Sequence, residues 1–402
     1  MTYPVLAHYP TVQHAQEELY YDLHRHPELS MNEVRTRRVI VEKLGRAGFD
    51  VLEIGGGVVG TLGHGEGPTV MLRADFDGLP VKEETGLPYA STDTATDADG
   101  NTVSVMHACG HDVHVASLVA MGEMMAANRE SWSGTLELLF QPGEEIGAGA
   151  IAMVDAGLTD AVKRPDVVLG QHVFCGQVPA GHVAVVPGPF LSTSVNVDIT
   201  LHGRGSHGSM PHLGVDPIVL AAAVVERLQT IVSRELSPRE FGVVTVGTLH
   251  AGTRPNVIPE TATLGLNVRA YDDGVRDRIL AAIERIVTAE AAAAGCPRDP
   301  EIRHYASYPV TDNDADVAGR LHSAFAGALG EGRVHVAEPQ TGSEDFPAIP
   351  QAFGVPYCYW GLGGREEGVE IPNHSPHFAP LVQPTLETGA KALAAAALEY
   401  LA

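Results

Sequence analysis

The chain has 402 residues, 44% of them hydrophobic and 19% charged, which is enough apolar material for two domains and too much for a disordered chain. Lys+Arg 26 against Asp+Glu 50 leaves a net charge of −24, which repels a phosphate backbone and an anionic bilayer and so argues against nucleic-acid and membrane-surface functions. An anionic small substrate is still admitted, because it answers to the local field of a cleft.

The opening stretch MTYPVLAHYPTVQHAQEEL carries neither the basic nor the apolar region of a secretory signal. No run reaches the roughly 18 apolar residues of a membrane span. Cys109, Cys175, Cys296 and Cys358 form no CxxC pair, so a cytoplasmic, reducing location is expected. Residues 11–25 and 33–48 read as helices. Apolar runs at 69–74, 135–140 and 166–169 read as buried strands, with a helix at 113–128 for which Asp112 is the expected N-cap. Continuous apolar strands separated by helices predict an α/β, mostly parallel sheet covered on both faces.

The pattern changes at Pro187-Gly188-Pro189. Strict alternation at 195–201, a helix at 216–235, strands at 242–249 and 262–270, an Ala-rich helix at 273–294 and a last strand at 301–305 give the β-α-β-β-α-β order of a ferredoxin-like sandwich. The expected division is a first domain over 1–188, an inserted domain over 189–302, and a return to the first domain over 303–402 that ends in a helix at 384–401.

Three clusters fall just past strand ends, where an open α/β sheet places its active site, and a fourth opens the helix between the first two strands. They are Arg73-Ala74-Asp75-Phe76-Asp77, Gln141-Pro142-Gly143-Glu144-Glu145, Gln171-His172, and the run from His107 to His114 that contains Cys109-Gly110-His111-Asp112. A fifth, His374-Ser375-Pro376-His377, lies in a Pro-rich loop. Cys109, His111, Glu145, His172 and His377 form a ligand set of one thiolate, three imidazoles and a carboxylate. That mixture suits zinc, with manganese or cobalt next, rather than calcium or magnesium. Five ligands exceed one tetrahedral site, so two ions sharing ligands are expected. One of the two adjacent glutamates binds metal while the other takes a proton, with Glu144 as base and Glu145 as ligand, although spacing leaves their order open. A nucleophilic Cys109 beside His111 is the competing reading, and it gives Glu145, His172 and His377 no task.

The segments MLRADFDGLPVKEETGLPYAS, MHACGHDVH, LLFQPGEEIGAGA, GRGSHGSMPHLGVDPI, TGSEDF and NHSPHF resemble the M20 metallopeptidase family. Within it they are most similar to the amidohydrolase branch that acts on N-acyl amino acids, hippurate and auxin conjugates. The resemblance implies a metal-dependent catalytic domain with an inserted lid that dimerises, and it assigns the five residues above as ligands and Glu144 as general base. It also implies that His207 stabilises the oxyanion and that Asn256 holds the substrate. Three positions depart from the family wording. His107 stands where an Asp is usual, Gly143 follows Gln-Pro and is expected to loosen the turn, and the surroundings of Arg269 differ. The expected reaction is hydrolysis of the amide bond of an N-acyl-L-amino acid by a metal-activated water, with Arg204, Arg254 and Arg269 as candidates for the carboxylate. The expected partners are that small substrate and a second copy of the chain, paired through the edge at 242–249. A metal-binding protein of the same fold without turnover is the alternative.

Overall fold

The computed structural model describes residues 4–402. In chain order its main elements are α1 (Tyr9–Arg25), α2 (Val34–Arg46), β1 (Asp50–Ile54), β2 (Gly57–His64), β3 (Thr69–Asp75), α3 (His111–Ala127), β4 (Gly134–Gln141), β5 (Val167–Pro179) and β6 (Val183–Val185). Then follow β7 (Thr193–His202), α4 (Pro217–Thr230), β8 (Gly242–Ala251), β9 (Thr261–Ala270), α5 (Asp273–Ala293) and β10 (Glu301–Tyr308). The chain closes with α6 (Ala315–Leu329), β11 (Val334–Val336), β12 (Tyr357–Arg365) and α7 (Val382–Leu401). No helix among the described residues is long and apolar enough to cross a membrane.

Two compact units result. The first comprises residues up to 190 together with 312–338 and 345–402, and the second comprises 191–311 with 339–344. The first holds an eight-stranded sheet in the order β1-β2-β4-β3-β5-β12-β6-β11. Its centre, β4-β3-β5-β12, is parallel, whereas β1, β2 and the β12–β6 pair run antiparallel. Every residue of β3 is buried, as a strand covered on both faces requires. Helix α3 is apolar nearly all round and packs between α1, α7 and the sheet. The Ala run of α7, with Ala390, Ala392 and Ala394 to Ala397 buried, presents small side chains at that packing face.

The second unit is a four-stranded antiparallel sheet in the order β8-β9-β7-β10, with α4 and α5 on it. This is the ferredoxin-like arrangement that the element order predicts. Position 303, the expected return point, falls inside β10, which pairs with β7. The second unit therefore continues to Thr311. Two other expectations differ. Helix α3 opens at Gly110 rather than Asp112, which lies inside the first turn with Oδ1 accepting the Val113 N–H at 2.9 Å and Oδ2 meeting the His24 ring at 2.6 Å. Strand β5 runs on past His172 to Pro179, so His172 lies within a strand, two residues beyond Gly170, where its pairing with β3 ends at Arg73.

Glu137 on β4 is fully buried with neither carboxylate oxygen hydrogen-bonded, and burial pushes its pKa up to about 7, partly offset by Lys163. A carboxyl raised in the folded state binds its proton more tightly there than when unfolded, so stability falls as pH rises from about 4.5 to about 7. The full cost, about 3 kcal/mol, is reached above that range. Glu137→Gln is expected to raise Tm at pH 8 and leave it near wild type at pH 5. An equal gain at both pH values would contradict a buried, titrating carboxyl.

Candidate metal centre

Strands β3 and β4 end side by side, with Asp75 opposite Gln141, and the chain leaving each end carries acids. Asp75 is wholly buried and receives Arg73 Nη1 at 2.7 Å and His114 Nδ1 at 2.5 Å. Burial works against its charge, but Arg73, His111 and His114 hold the carboxyl well below the usual range. The Val173 N–H donates to His114 Nε2 at 2.9 Å, so the His114 proton resides on Nδ1, facing Asp75.

Two residues on, Asp77 orients the neighbouring side chains. It accepts His111 Nδ1–H at 3.0 Å, Ser30 Oγ–H at 2.7 Å and the Glu145 N–H at 3.0 Å. His111 Nε2 is thereby turned inward. It lies 3.7 Å from Glu145 Oε1 and 4.0 Å from Glu144 Oε2. The His172 Nδ1–H donates to the carbonyl of Val173 at 2.9 Å, which turns Nε2 to Cys109 Sγ at 3.5 Å. Burial and the adjacent His114 ring push the His172 pKa well down, so the ring is neutral and can ligate.

Backbone conformation accounts for the motif glycines. Gly110 has φ +82°, and a Cβ there would lie 2.3 Å from Val173 Cγ1. Gly143 has φ +56°, and its N–H donates to Glu33 Oε1 at 2.8 Å. Gly143 therefore supplies the left-handed conformation that the turn needs rather than loosening it. The following single turn, Glu144–Ile146, buries Glu144 and leaves Glu145 partly accessible. Burial and the Asp77 charge push the Glu33 carboxyl up to about 7. His107 is buried with neither ring nitrogen hydrogen-bonded, and burial lowers its pKa to about 4, so it adds no charge.

The Pro-rich loop overturns one assignment. His374, not His377, approaches the cluster: His374 Nε2 is 3.3 Å from Glu145 Oε2. Its N–H is tied to the carbonyl of Ala108 at 2.8 Å, and its φ of +69° swings the ring inward. Hydrogen bonds to Cys109 and Glu145 raise its pKa to about 10. The turn through Ser375-Pro376 sends His377 the other way, where the exposed ring meets the carbonyl of Glu84 at 3.0 Å. Asn373, beside it, donates to the carbonyls of Cys109 (3.3 Å) and Val173 (3.2 Å), which ties the loop to two of the ligand-bearing segments. The sequence reading missed Asp77, His114, Asn373 and His374 as site residues. Each lies within a quoted motif, but nothing in one sequence says which of two histidines three apart faces inward.

Three donors from Cys109, His111 and His172 lie within 4.8 Å of one another, and so do three from Cys109, Glu145 and His374. Cys109 belongs to both groups. His111 Nε2 and Glu145 Oε1 are buried without a hydrogen-bond partner among the described residues. Such orphaned acceptors are costly unless something binds them. Thiolate, imidazole and carboxylate donors converging in this way fit a pair of borderline transition ions. Asp77→Asn is expected to weaken metal binding by about 10–100-fold, because ring and backbone lose their common anchor. Chelator competition measures it, and unchanged affinity would remove Asp77 from that role.

His207 and Asn256 lie in the second unit, where the Ser206–His207 bridge pairs with Val257–Ile258. Both side chains are exposed, and the Gly208 N–H donates to the Asn256 carbonyl at 2.8 Å. The Ser209 N–H donates to His207 Nδ1 at 3.2 Å, which leaves the His207 proton on Nε2. Arg269 is engaged within its unit by Asn267, Thr341 and Ser343, while Arg204 and Arg254 are exposed. Cys175 is buried and its thiol is pushed up to about 12, the behaviour of a packing residue. All four cysteines are free thiols.

Residues 71–399 match the family described as peptidase family M20/M25/M40. The chain is 33% identical over 384 residues to thermostable carboxypeptidase 1 of Saccharolobus solfataricus, covering 94% of this chain and 93% of that protein. It is 34% identical over 350 residues to the N-acetylcysteine deacetylase of Bacillus subtilis, covering 86% and 88%. A solved structure of a dinuclear metal-binding peptidase of the M20 family from Bacillus subtilis superposes with a TM-score of 0.78 at 28% identity, over 97% of this chain and 98% of that one. The chain belongs to peptidase family M20/M25/M40 and is a metal-dependent hydrolase of amide bonds.

Proposed function

We propose that the protein hydrolyses the amide bond of N-acyl-L-amino acids, with a free amino acid as the leaving group. The observation that carries this reading is the pair of donor groups sharing Cys109, with buried Glu144 4.0 Å from His111 Nε2. Glu144 also stands within donor groups with His111 and Glu145 and with Asp75 and Glu344; we assign it as the base beside the ligands, which a hydrolase needs and a metal store does not. An N-acyl amino acid and the C-terminus of a peptide present the same reacting unit, an amide next to a free carboxylate. That common unit reconciles a deacetylase and a carboxypeptidase among the relatives.

In this reading Cys109, His111, Glu145, His172 and His374 hold the ions. Bound there, they supply Lewis acidity toward the carbonyl and lower the pKa of water. Glu144 takes the proton from the attacking water and returns it to the amine nitrogen as the C–N bond breaks. His207, with its proton fixed on Nε2, is assigned as donor to the carbonyl oxygen as charge develops there. Asn256 is assigned to substrate binding. Zinc is the first metal to test, then manganese, cobalt and nickel. The test is amine release from hippurate, N-acetyl-methionine and an N-acyl-glutamine, before and after chelation and with single metals restored. Activity that dies with chelator and returns with one metal is expected. A metal-loaded protein silent on all three would overturn the substrate class.

We also assign the protein as a homodimer. Strand β8 pairs only with β9, so its other edge is open among the described residues, and Leu249 on it is exposed. Light scattering after size exclusion should give twice the chain mass, and a monomer at micromolar concentration would overturn the assignment.

A further inference from the structure

The first unit contains a cavity of about 620 Å³ whose lining includes Glu145 itself. That volume is well within the roughly 300–1,000 Å³ of small-molecule sites. Four stretches of chain build it: Leu29 to Asn32, Gly78 to Pro80, the tip of the Thr94–Ser104 hairpin at Thr96 to Ala98, and Glu145–Ile146. Its Ser30 donates to Asp77, the same carboxylate that holds His111 and the Glu145 backbone. The cavity and the metal centre therefore share Glu145 and are braced by one residue.

The lining chemistry says which part of a substrate belongs there. Leu29, Leu79, Pro80 and Ile146 make it mainly apolar, and Ile146 stays 52% exposed directly after the two glutamates. No Lys or Arg lines it; the two titratable groups are acids, Asp97 and Glu145. A free carboxylate would be repelled. Asp97 is turned to its own hairpin, its oxygens accepting the N–H groups of Asp99 (3.0 Å) and Asn101 (2.8 Å) and the Asn101 side-chain amide (3.3 Å), so it is positioned by the turn and not by an occupant. An uncharged apolar group of several carbons is the occupant that buries this surface without stranding a charge.

We propose that this cavity is the acyl pocket, selecting apolar acyl groups larger than acetyl, and that Ile146 and the hairpin tip set the accepted length. The inference rests on the amide-hydrolase reading above. The experiment uses the metal-reconstituted enzyme and one amino acid carrying acetyl, butanoyl, hexanoyl, octanoyl or 6-aminohexanoyl groups. Each buried methylene is worth about three- to fourfold in kcat/KM, so hexanoyl should exceed acetyl by at least tenfold. Ala98→Trp, which narrows the pocket from an exposed hairpin, should lower the hexanoyl-to-acetyl ratio by about tenfold. Thr96→Trp is the second variant should the first fail to fold. A flat series in an active enzyme, a variant that lowers both substrates alike, or preference for 6-aminohexanoyl over hexanoyl would overturn the pocket alone. No hydrolysis of any member would overturn the pocket and the amide-hydrolase reading together.

Discussion

Glu144→Gln should lower kcat by about 10³-fold, within the range seen when a positioned general base is lost, while the protein keeps its full complement of metal. The side chain stays the same size and can still accept a hydrogen bond, so the turn that begins at Gly143 and is tied to Glu33 has no reason to move. What disappears is the basic oxygen that takes a proton from water. Glu145→Gln makes the contrasting variant. Glu145 Oε1 faces His111 Nε2 at 3.7 Å and Oε2 faces His374 at 3.3 Å, so its loss should appear first as metal loss. Metal content by elemental analysis beside single-turnover rates separates the two. Wild-type turnover in Glu144→Gln would remove it as the base, and metal loss in that variant would mean that the glutamates have exchanged roles.

The parts of this site legible in the sequence are those fixed by local chain geometry. Apolar runs bounded by Gly, Pro or Asp mark β3, β4 and the start of β5, and the acids that follow them fall beside the strand ends as an α/β sheet requires. The element order β-α-β-β-α-β sufficed for the second unit, because alternation and helical spacing are strong signals over ten residues or more. Short or mixed signals were missed. The antiparallel hairpin β1–β2 is Gly-rich, and β6 and β11 are three residues each. Asp112 resembles an N-cap in the sequence, yet in the fold its carboxylate bonds His24, eighty-eight residues away, and Gly110 opens the helix instead. Asp77 was likewise visible as an acid after a strand, but its three hydrogen bonds join residues 30, 111 and 145 and have no local trace. Long-range pairings of this kind exist only once the sheet has assembled.

The loop His374-Ser375-Pro376-His377 gives the sharpest case, because two identical side chains three residues apart carry opposite expectations. His374→Ala should reduce turnover by more than about 100-fold and weaken metal binding, a loss at least as large as that from removing an orienting partner. His377→Ala should stay within about threefold of wild type, since it removes one exposed contact to a backbone carbonyl, worth about 1 kcal/mol or less. The difference lies in the backbone. His374 sits at φ +69° with its N–H fixed to Ala108, directly before Cys109, so the segment bearing the thiolate also aims the imidazole. Pro376 then carries the chain back to Glu84, whose N–H donates to the Pro376 carbonyl at 2.8 Å, and His377 follows that strap outward. Because both variants remove the same group from one loop, a general disturbance of the loop would weaken them alike. Equal losses would therefore mean that the loop acts as a strap, whereas a loss confined to His377→Ala would restore that residue as the ligand. Loss confined to His374→Ala, with metal released in proportion, is the outcome expected from an imidazole 3.3 Å from Glu145 in a donor group that also contains Cys109.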